Sequence, residues 1–282
     1  MKERKTAIIT DSACDLDDAL LAQYNIHYVS LRLVYSGGEL RDRVEIDSAK
    51  VYAMLSQEVP KTSLPLPEDV TNLYDKLAGM GYTDAVHICI SSGLSGTYNM
   101  IRIIAEGYEP MNVRVVDSKS LSMQEGLIVL CCARMLEKTQ DPDEIAAYAE
   151  ALRAKSIGMF VIRTLEYLRK GGRIGLVEGV LGTMLQLKPI IFVNADGVYE
   201  TLAKARGHVN ALETMVHEIT ARFSKARVRL AVVHGSALAD GEKLLERLKG
   251  LLTVEESFLV PVSPVLGVHT GPGLLGIIAL QV

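Results

Sequence analysis

Short apolar runs separated by amphipathic stretches organise the first half of this chain. Thr6-Ala7-Ile8-Ile9-Thr10, Ala85-Val86-His87-Ile88-Cys89-Ile90 and Val113-Arg114-Val115-Val116 are strand-length, and a further strand is expected over Ile26 to Val34. Between them the period lengthens to that of a helix. Asp17 or Asp15 caps a helix through Leu20, Leu21 and Tyr24, and Asp47 starts one with Val51, Met54 and Leu55 on one side. Pro67 or Glu68 opens a helix whose Val70, Leu73, Tyr74 and Leu77 share a face, and Gly79 and Gly81 end it. The stretch with Leu127, Ile128, Leu130, Cys131 and Leu136 is apolar on more than one side, which predicts a buried helix. A helix with Ile145, Tyr148, Ala149 and Leu152 follows Thr139-Gln140-Asp141-Pro142, while residues 39 to 46 read as a charged excursion after the Gly37-Gly38 turn. Apolar strands alternating with helices predict a mostly parallel sheet covered on both faces, with any ligand beyond the carboxyl ends of the strands.

From Gly158-Met159-Phe160-Val161-Ile162 the pattern changes. A short helix holds Leu165, Tyr167 and Leu168. Leu187 to Val193, the turn Asn194-Ala195-Asp196-Gly197 and Val198-Tyr199-Glu200 read as a hairpin. A helix with Val209, Leu212, Val216, Ile219 and Phe223 on one face precedes a strand over Val228 to Val233. The helix Leu238 to Leu248 and strands near Ser257 to Val260 and Leu274 to Leu280 complete the chain. The expectation is an α/β protein of two domains, a Rossmann-like parallel sheet in residues 1–156 and a mixed sheet with helices in residues 157–282. No flexible linker marks the boundary, which is therefore soft.

Composition narrows the function classes. Charged residues make up 23% and hydrophobic ones 49%, as in ordinary globular proteins. Thirty basic against 34 acidic residues give a formal charge of −4, so no broad electropositive field for nucleic acid is implied. Cys14, Cys89, Cys131 and Cys132 form no C-x-x-C pair and no zinc-finger cluster; three of them lie in apolar patterns, as buried free thiols do, which fits a reducing cytoplasm. The charged N-terminus runs into only a short apolar stretch, and no run reaches membrane-spanning length.

The chemistry concentrates where strands hand over to helices. Ser91-Ser92-Gly93-Leu94-Ser95-Gly96-Thr97-Tyr98 places hydroxyls and amides at a helix N-terminus, a setting that suits an anion. No Lys follows Gly96, so this is not a P-loop, and the stretch is not a G-x-S-x-G nucleophile elbow. The bland alternative is that Ser95 caps the helix and the glycines permit a tight turn. Thr62 and Ser63 lie on a loop stiffened by Pro65 and Pro67, and a pre-ordered hydroxyl loses less entropy on binding. Arg173 follows Gly171-Gly172, where Gly171 alternatively ends a helix and Arg173 is a solvated cation. His269 sits in the constrained loop His269-Thr270-Gly271-Pro272-Gly273, and histidine is the side chain able to move a proton near neutrality. A carboxylate clamped by hydroxyls with Arg173 and His269 beside it is a coherent site. Asp11, Asp15 and Asp117 are the acids at strand ends, and a Mg²⁺ between them is the weaker alternative.

The ordered set of Ile9-Thr10-Asp11-Ser12-Ala13-Cys14-Asp15-Leu16, Thr62-Ser63, the serine turn, Val116-Asp117-Ser118-Lys119, Leu165 to Ile174, Leu187-Lys188-Pro189-Ile190 and His269 to Gly273 resembles the DegV family of fatty-acid-binding proteins over essentially the whole chain. That resemblance implies one long-chain fatty acid held in an inter-domain tunnel. It assigns the carboxylate to Thr62 and Ser95, with Ser63, Ser92, Gly93 and Gly96 as neighbours. Arg173 and His269 match the Arg and His beside the carboxylate, in supporting roles for phosphoryl transfer. The implied partner is the ATP-binding subunit of a fatty-acid kinase, which brings ATP and Mg²⁺. This chain would then be cytoplasmic, hold no metal or cofactor of its own, and be non-catalytic alone. Leu64-Pro65 stands where the family often has Gln-Pro, and Asn99-Met100-Ile101 where small or polar residues are common, which affects tail fit more than the carboxylate contacts. The alternatives are a lipid sensor or storage protein, and a metabolic enzyme holding a small anion near Asp11, Asp117 and His234.

Overall fold

The computed structural model describes residues 4–175, 177 and 187–282. The first half contains β1 (Thr6–Asp11), α1 (Asp18–Gln23), β2 (Ile26–Val29), β3 (Arg32–Tyr35), β4 (Gly38–Arg41), α2 (Ser48–Met54), β5 (Lys61–Ser63), α3 (Pro67–Gly79), β6 (Asp84–Cys89), α4 (Thr97–Glu106), β7 (Asn112–Asp117), α5 (Ser122–Met135) and α6 (Pro142–Ala154). The second half adds β8 (Ser156–Val161), α7 (Glu166–Lys170), β9 (Leu187–Val193), β10 (Tyr199–Arg206), α8 (His208–Phe223), β11 (Arg227–His234), α9 (Leu238–Lys249), β12 (Thr253–Pro261), α10 (Pro264–Thr270) and β13 (Leu275–Gln281).

Local chemistry explains many of the boundaries. Asp17 caps α1 by accepting from Leu20 N, Asp47 caps α2 by accepting from Lys50 N, and Asp141 with Pro142 opens α6. Asp15 does not cap α1: it ends the short 3-10 turn Ser12–Cys14 at φ 56° and turns its carboxylate inward. In α8 the buried face runs through Ala211, Met215, Val216, Ile219 and Phe223, and Val209 lies outside it, exposed.

Two sheets carry the architecture. Strands in the order β2-β1-β6-β7 form an all-parallel sheet, and β10-β9-β8-β13-β11-β12 form a mixed one in which only β11 and β12 pair in parallel. This is the two-sheet α/β arrangement expected from the pattern, with the second sheet beginning at Ser156. Between the sheets lies α5, in which every residue from Ser122 to Ala133 is buried, and it touches β1 and β6 on one side and β8, β11 and β13 on the other. One hydrophobic core therefore runs from Ile8 and Ile88 through Leu127 and Leu130 to Val233 and Ile278. Outer cores join the far face of the first sheet to Tyr74, Leu77 and Ile101, and that of the second to Met215, Ile219 and Leu248.

The stretch expected as one strand over Ile26 to Val34 is two strands in different sheets. At the break, Leu31 N donates to Ser12 Oγ at 3.1 Å and Leu31 O accepts from Asp42 N at 2.9 Å, so the backbone leaves the parallel ladder. β3 then pairs with β4 and with β5, placing Leu33 opposite Thr62 in a small third sheet. The charged excursion is thus partly a strand, and its Asp42 is fully buried: Oδ1 accepts from Val265 N at 3.0 Å.

Candidate functional site

The serine turn satisfies its own amides. Leu94 N and Ser95 N both donate to Ser91 O at 3.0 Å, Gly93 N to Ser91 Oγ at 3.1 Å, and Ser92 N to Asp117 Oδ1 at 3.1 Å. The amides of Gly93, Leu94 and Ser95 are thus folded onto Ser91 and that of Ser92 onto Asp117, so these four are not aimed at an anion. The turn also docks the second sheet. Ser91 Oγ donates to Gly197 O at 2.7 Å, and Lys119 Nζ donates to Ser92 Oγ at 3.0 Å and reaches Asp196 O at 3.5 Å. Gly93 allows that close approach, since a Cβ there would sit 2.5 Å from Gly197 O.

The strand-end acids are occupied as well. Asp11 accepts from Ala13 N and Ile90 N, and Asp117 accepts from Lys119 N and pairs with Lys119 Nζ at 3.0 Å. Burial raises Asp11 to about 7. Asp15 accepts from Ser263 N at 2.8 Å and from Ser122 Oγ, and burial raises it to about 6. Among the described residues no group of three or more His, Cys, Asp or Glu is placed to hold a metal ion. His234 accepts from Ala237 N at 3.4 Å.

A cavity of about 180 Å³ gathers most of the remaining candidates. Thr62, Ser63 and Leu64 line it from β5 and beyond, Leu94 and Ser95 from the serine turn, Arg173 from the loop after α7, and His269 from the last turn of α10. Ser92, Gly93 and Gly96 do not line it. They border a neighbouring, more open cleft of about 330 Å³, which shares Leu94, Ser95, Arg173 and Tyr199 with the first cavity. Ser95 is not the cap of α4, which starts from Gly96 with no side-chain cap; its Oγ lies 2.8 Å from Thr97 Oγ1 and accepts from Thr97 N at 3.3 Å in a local turn.

Within the cavity Thr62 Oγ1 lies 2.8 Å from His269 Nε2. His269 Nδ1 is buried without a partner among the described residues, and burial, with help from the Arg173 charge, lowers the imidazole to about 4. The ring is therefore neutral at physiological pH. Arg173 Nη1 donates to Gly171 O at 2.7 Å and its Nε reaches Leu94 O at 3.4 Å, while among the described residues no carboxylate pairs with it. Gly171 and Gly271 let α7 and α10 close together: a Cβ on Gly171 would stand 2.0 Å from His269 Nδ1, and one on Gly271 2.3 Å from the Tyr167 ring. Gly171 is thus needed for space at a negative φ of −79°, beyond its place at the helix end.

An apolar cavity of about 40 Å³ adjoins the first one, between α5 and α10 on one side and the mixed sheet on the other. Leu121, Tyr199 and Leu266 line both. No sequence signal singled out these three, since what they share is a position between elements far apart in the chain.

Residues 5–282 match the family described as "Uncharacterised protein, DegV family". A DegV domain-containing protein of Clostridium acetobutylicum is 39% identical over 98% of this chain and 99% of its own length. The solved fatty-acid-binding DegV family protein of Thermus thermophilus superposes with a TM-score of 0.90 at 31% identity, covering 98% of this chain and 99% of its own. DegV of Bacillus subtilis, a fatty-acid-binding protein, superposes with a TM-score of 0.91 at 25% identity, covering 99% of this chain and all of its own. A protein of Eubacterium ventriosum that binds stearic acid gives 0.85 at 26%, covering 98% of both chains.

Proposed function

The chain belongs to the DegV family, and on that premise we propose that it binds one long-chain fatty acid, with the carboxylate in the Thr62–Arg173–His269 cavity and the tail in the adjoining apolar cavity. The observation that carries this reading is the junction itself. A guanidinium with no carboxylate partner among the described residues and a hydroxyl–imidazole pair face a cavity that passes at Leu121, Tyr199 and Leu266 into apolar space. A buried carboxylate must be paired and hydrogen-bonded, and Arg173 with the Thr62 and Ser95 hydroxyls meets that need. With His269 neutral and its Nδ1 lacking a partner among the described residues, a proton on Nε2 is donated to Thr62, which frees the Thr62 hydroxyl to donate to the ligand. Each methylene removed from water contributes about 0.8 kcal/mol, so a sixteen-carbon tail contributes on the order of 10 kcal/mol before binding costs. The tail supplies affinity and the polar end supplies orientation. An acyl chain needs more room than 40 Å³, so the reading requires the lining of this cavity to rearrange as the tail enters.

The protein then acts as a carrier that presents the carboxylate to a separate ATP-dependent kinase subunit for conversion to acyl phosphate. Arg173 borders both the cavity and the open cleft, which supports an approach of the phosphoryl donor from the cleft side, with ATP and Mg²⁺ arriving on the partner. Extracting the purified protein with solvent, followed by mass spectrometry, is expected to release a fatty acid. Absence of any acid together with no binding of added palmitate or oleate overturns the reading. The Thr62→Ala, Ser95→Ala double variant is expected to stay folded and to lose roughly a hundredfold in affinity, about tenfold for each of two hydrogen bonds to a charged group. Unchanged affinity would place the carboxylate elsewhere. Acyl phosphate is expected only when an ATP-using subunit is added; its formation by this chain alone removes the carrier role.

A further inference from the structure

We propose that the apolar cavity selects a long-chain acid bearing a hydroxyl group part-way along its chain, and that the side-chain oxygen of Gln124 reads that hydroxyl. This rests on the fatty-acid reading above and adds the class of acid.

Gln124 lies in the first turn of α5, is 8% exposed and lines the apolar cavity. Its Nε2 donates to Ser156 Oγ at 3.1 Å, and Ser156 Oγ in turn donates to Arg153 O at 3.2 Å. Because that hydroxyl proton is committed to Arg153, Ser156 accepts from Gln124, which fixes which way round the amide sits. Gln124 Oε1 is left facing Gly158, where a Cβ would stand 2.8 Å from it, so the missing side chain makes its room. Among the described residues no donor meets Oε1. Its neighbours in the cavity include Met159, Phe160, Val233 and Ile278, none of which donates. Of the three hydroxyls on the lining, Ser122 is spent on Asp15 and Thr270 on Leu266 O at 3.0 Å, and no hydrogen bond joins Tyr199 Oη to Oε1 among the described residues.

An acceptor that faces an apolar cavity is costly to cover with methylenes and cheap to cover with a donor. A plain saturated tail lays CH₂ groups over Oε1. A hydroxylated tail supplies the missing O–H, whereas a keto or epoxy group would bring a second acceptor and repel. The discrimination expected of an unpaired against a paired buried polar group is about tenfold or more.

The test titrates the wild-type protein with stearate and with monohydroxystearates whose hydroxyl steps along the chain. One position is expected to bind about tenfold tighter than stearate. Gln124→Met is expected to abolish that preference by tightening stearate and weakening the favoured isomer. Competition on the wild-type protein with an equimolar mixture, read by mass spectrometry of the bound pool, needs no variant. Equal recovery of all acids overturns the proposal, as a water satisfying Oε1 would predict, and so does a preference that survives Gln124→Met. Failure of the fatty-acid reading itself has a different signature, no binding of stearate or of any isomer.

Discussion

At its N-terminal end α10 meets two buried carboxylates: Asp15 accepts from Ser263 N and Asp42 from Val265 N. At its C-terminal end it carries His269, whose Nε2 meets one hydroxyl and whose Nδ1 meets none among the described residues. Both ends are buried and polar, and both join residues from the two halves of the chain. They differ in what is left over. At the first end Asp15 holds Ser263 N and Ser122 Oγ and Asp42 Oδ1 holds Val265 N, so burial there buttresses the helix, although Asp42 Oδ2 and Ser263 Oγ have no partner among the described residues. The second end keeps an unpaired nitrogen, a shareable hydroxyl and the Arg173 guanidinium around a cavity. Burial of polar groups alone does not mark a site; what sets the second end apart is a guanidinium, an imidazole and hydroxyls converging on one cavity.

The largest effect that separates the two ends is expected from Asp15→Ala. It orphans Ser263 N and Ser122 Oγ, at roughly 1–3 kcal/mol for each buried donor, and urea unfolding reads the loss. A stability change below about 0.5 kcal/mol would mean that the buttress is not one. Gly171→Ala probes the other end. Its new Cβ occupies the place of His269 Nδ1, so the imidazole must leave Thr62, at a packing cost of about 1–3 kcal/mol. Palmitate binding is expected to weaken by more than in the Thr62→Ala, Ser95→Ala variant; affinity equal to wild type would remove His269 from the site.

The smallest effect concerns the acids behind α10. Glu125 is fully buried, accepts from Thr10 Oγ1 at 3.0 Å, and has Oε2 unpartnered among the described residues; burial, then the nearby Asp11, holds its carboxyl well above the ordinary range. A raised folded pKa means that the folded state binds more protons, so this group's contribution is present below the unfolded value of 4.5 and is lost as pH rises. Glu125→Gln removes that titration. The variant is expected to match the wild type near pH 4.5 and to become the more stable of the two as pH rises towards 8, in urea midpoints across that range. A gap independent of pH would show that Glu125 does not titrate with folding.

Local chemistry was legible in the sequence and long-range bookkeeping was not. The caps at Asp17 and Asp47 and the buried character of α5 follow from residue type and period. The break at Leu31 does not, because Ser12 and Asp42 draw its backbone out of the ladder from elsewhere in the chain. Nor does the spending of the serine-turn amides on Ser91, since the same letters suit a turn that opens them to a ligand. Thr62, Ser95, Arg173 and His269 were named from loop character and family resemblance, and the fold brings all four to one cavity. Tyr199, Leu121, Leu266 and Gln124 carried no local mark, as a cavity wall is a property of packing between distant elements.

The placement of α5 also bears on how the chain comes apart. A helix with one side on each sheet leaves neither sheet able to complete its hydrophobic enclosure alone. Dividing the chain near Ser156 would therefore yield two fragments with bare walls, not two autonomous folding units. Heating should give one cooperative transition in which calorimetric and van't Hoff enthalpies agree, even though the topology draws two sheets. In that sense the helix makes one thermodynamic body out of two architectural ones.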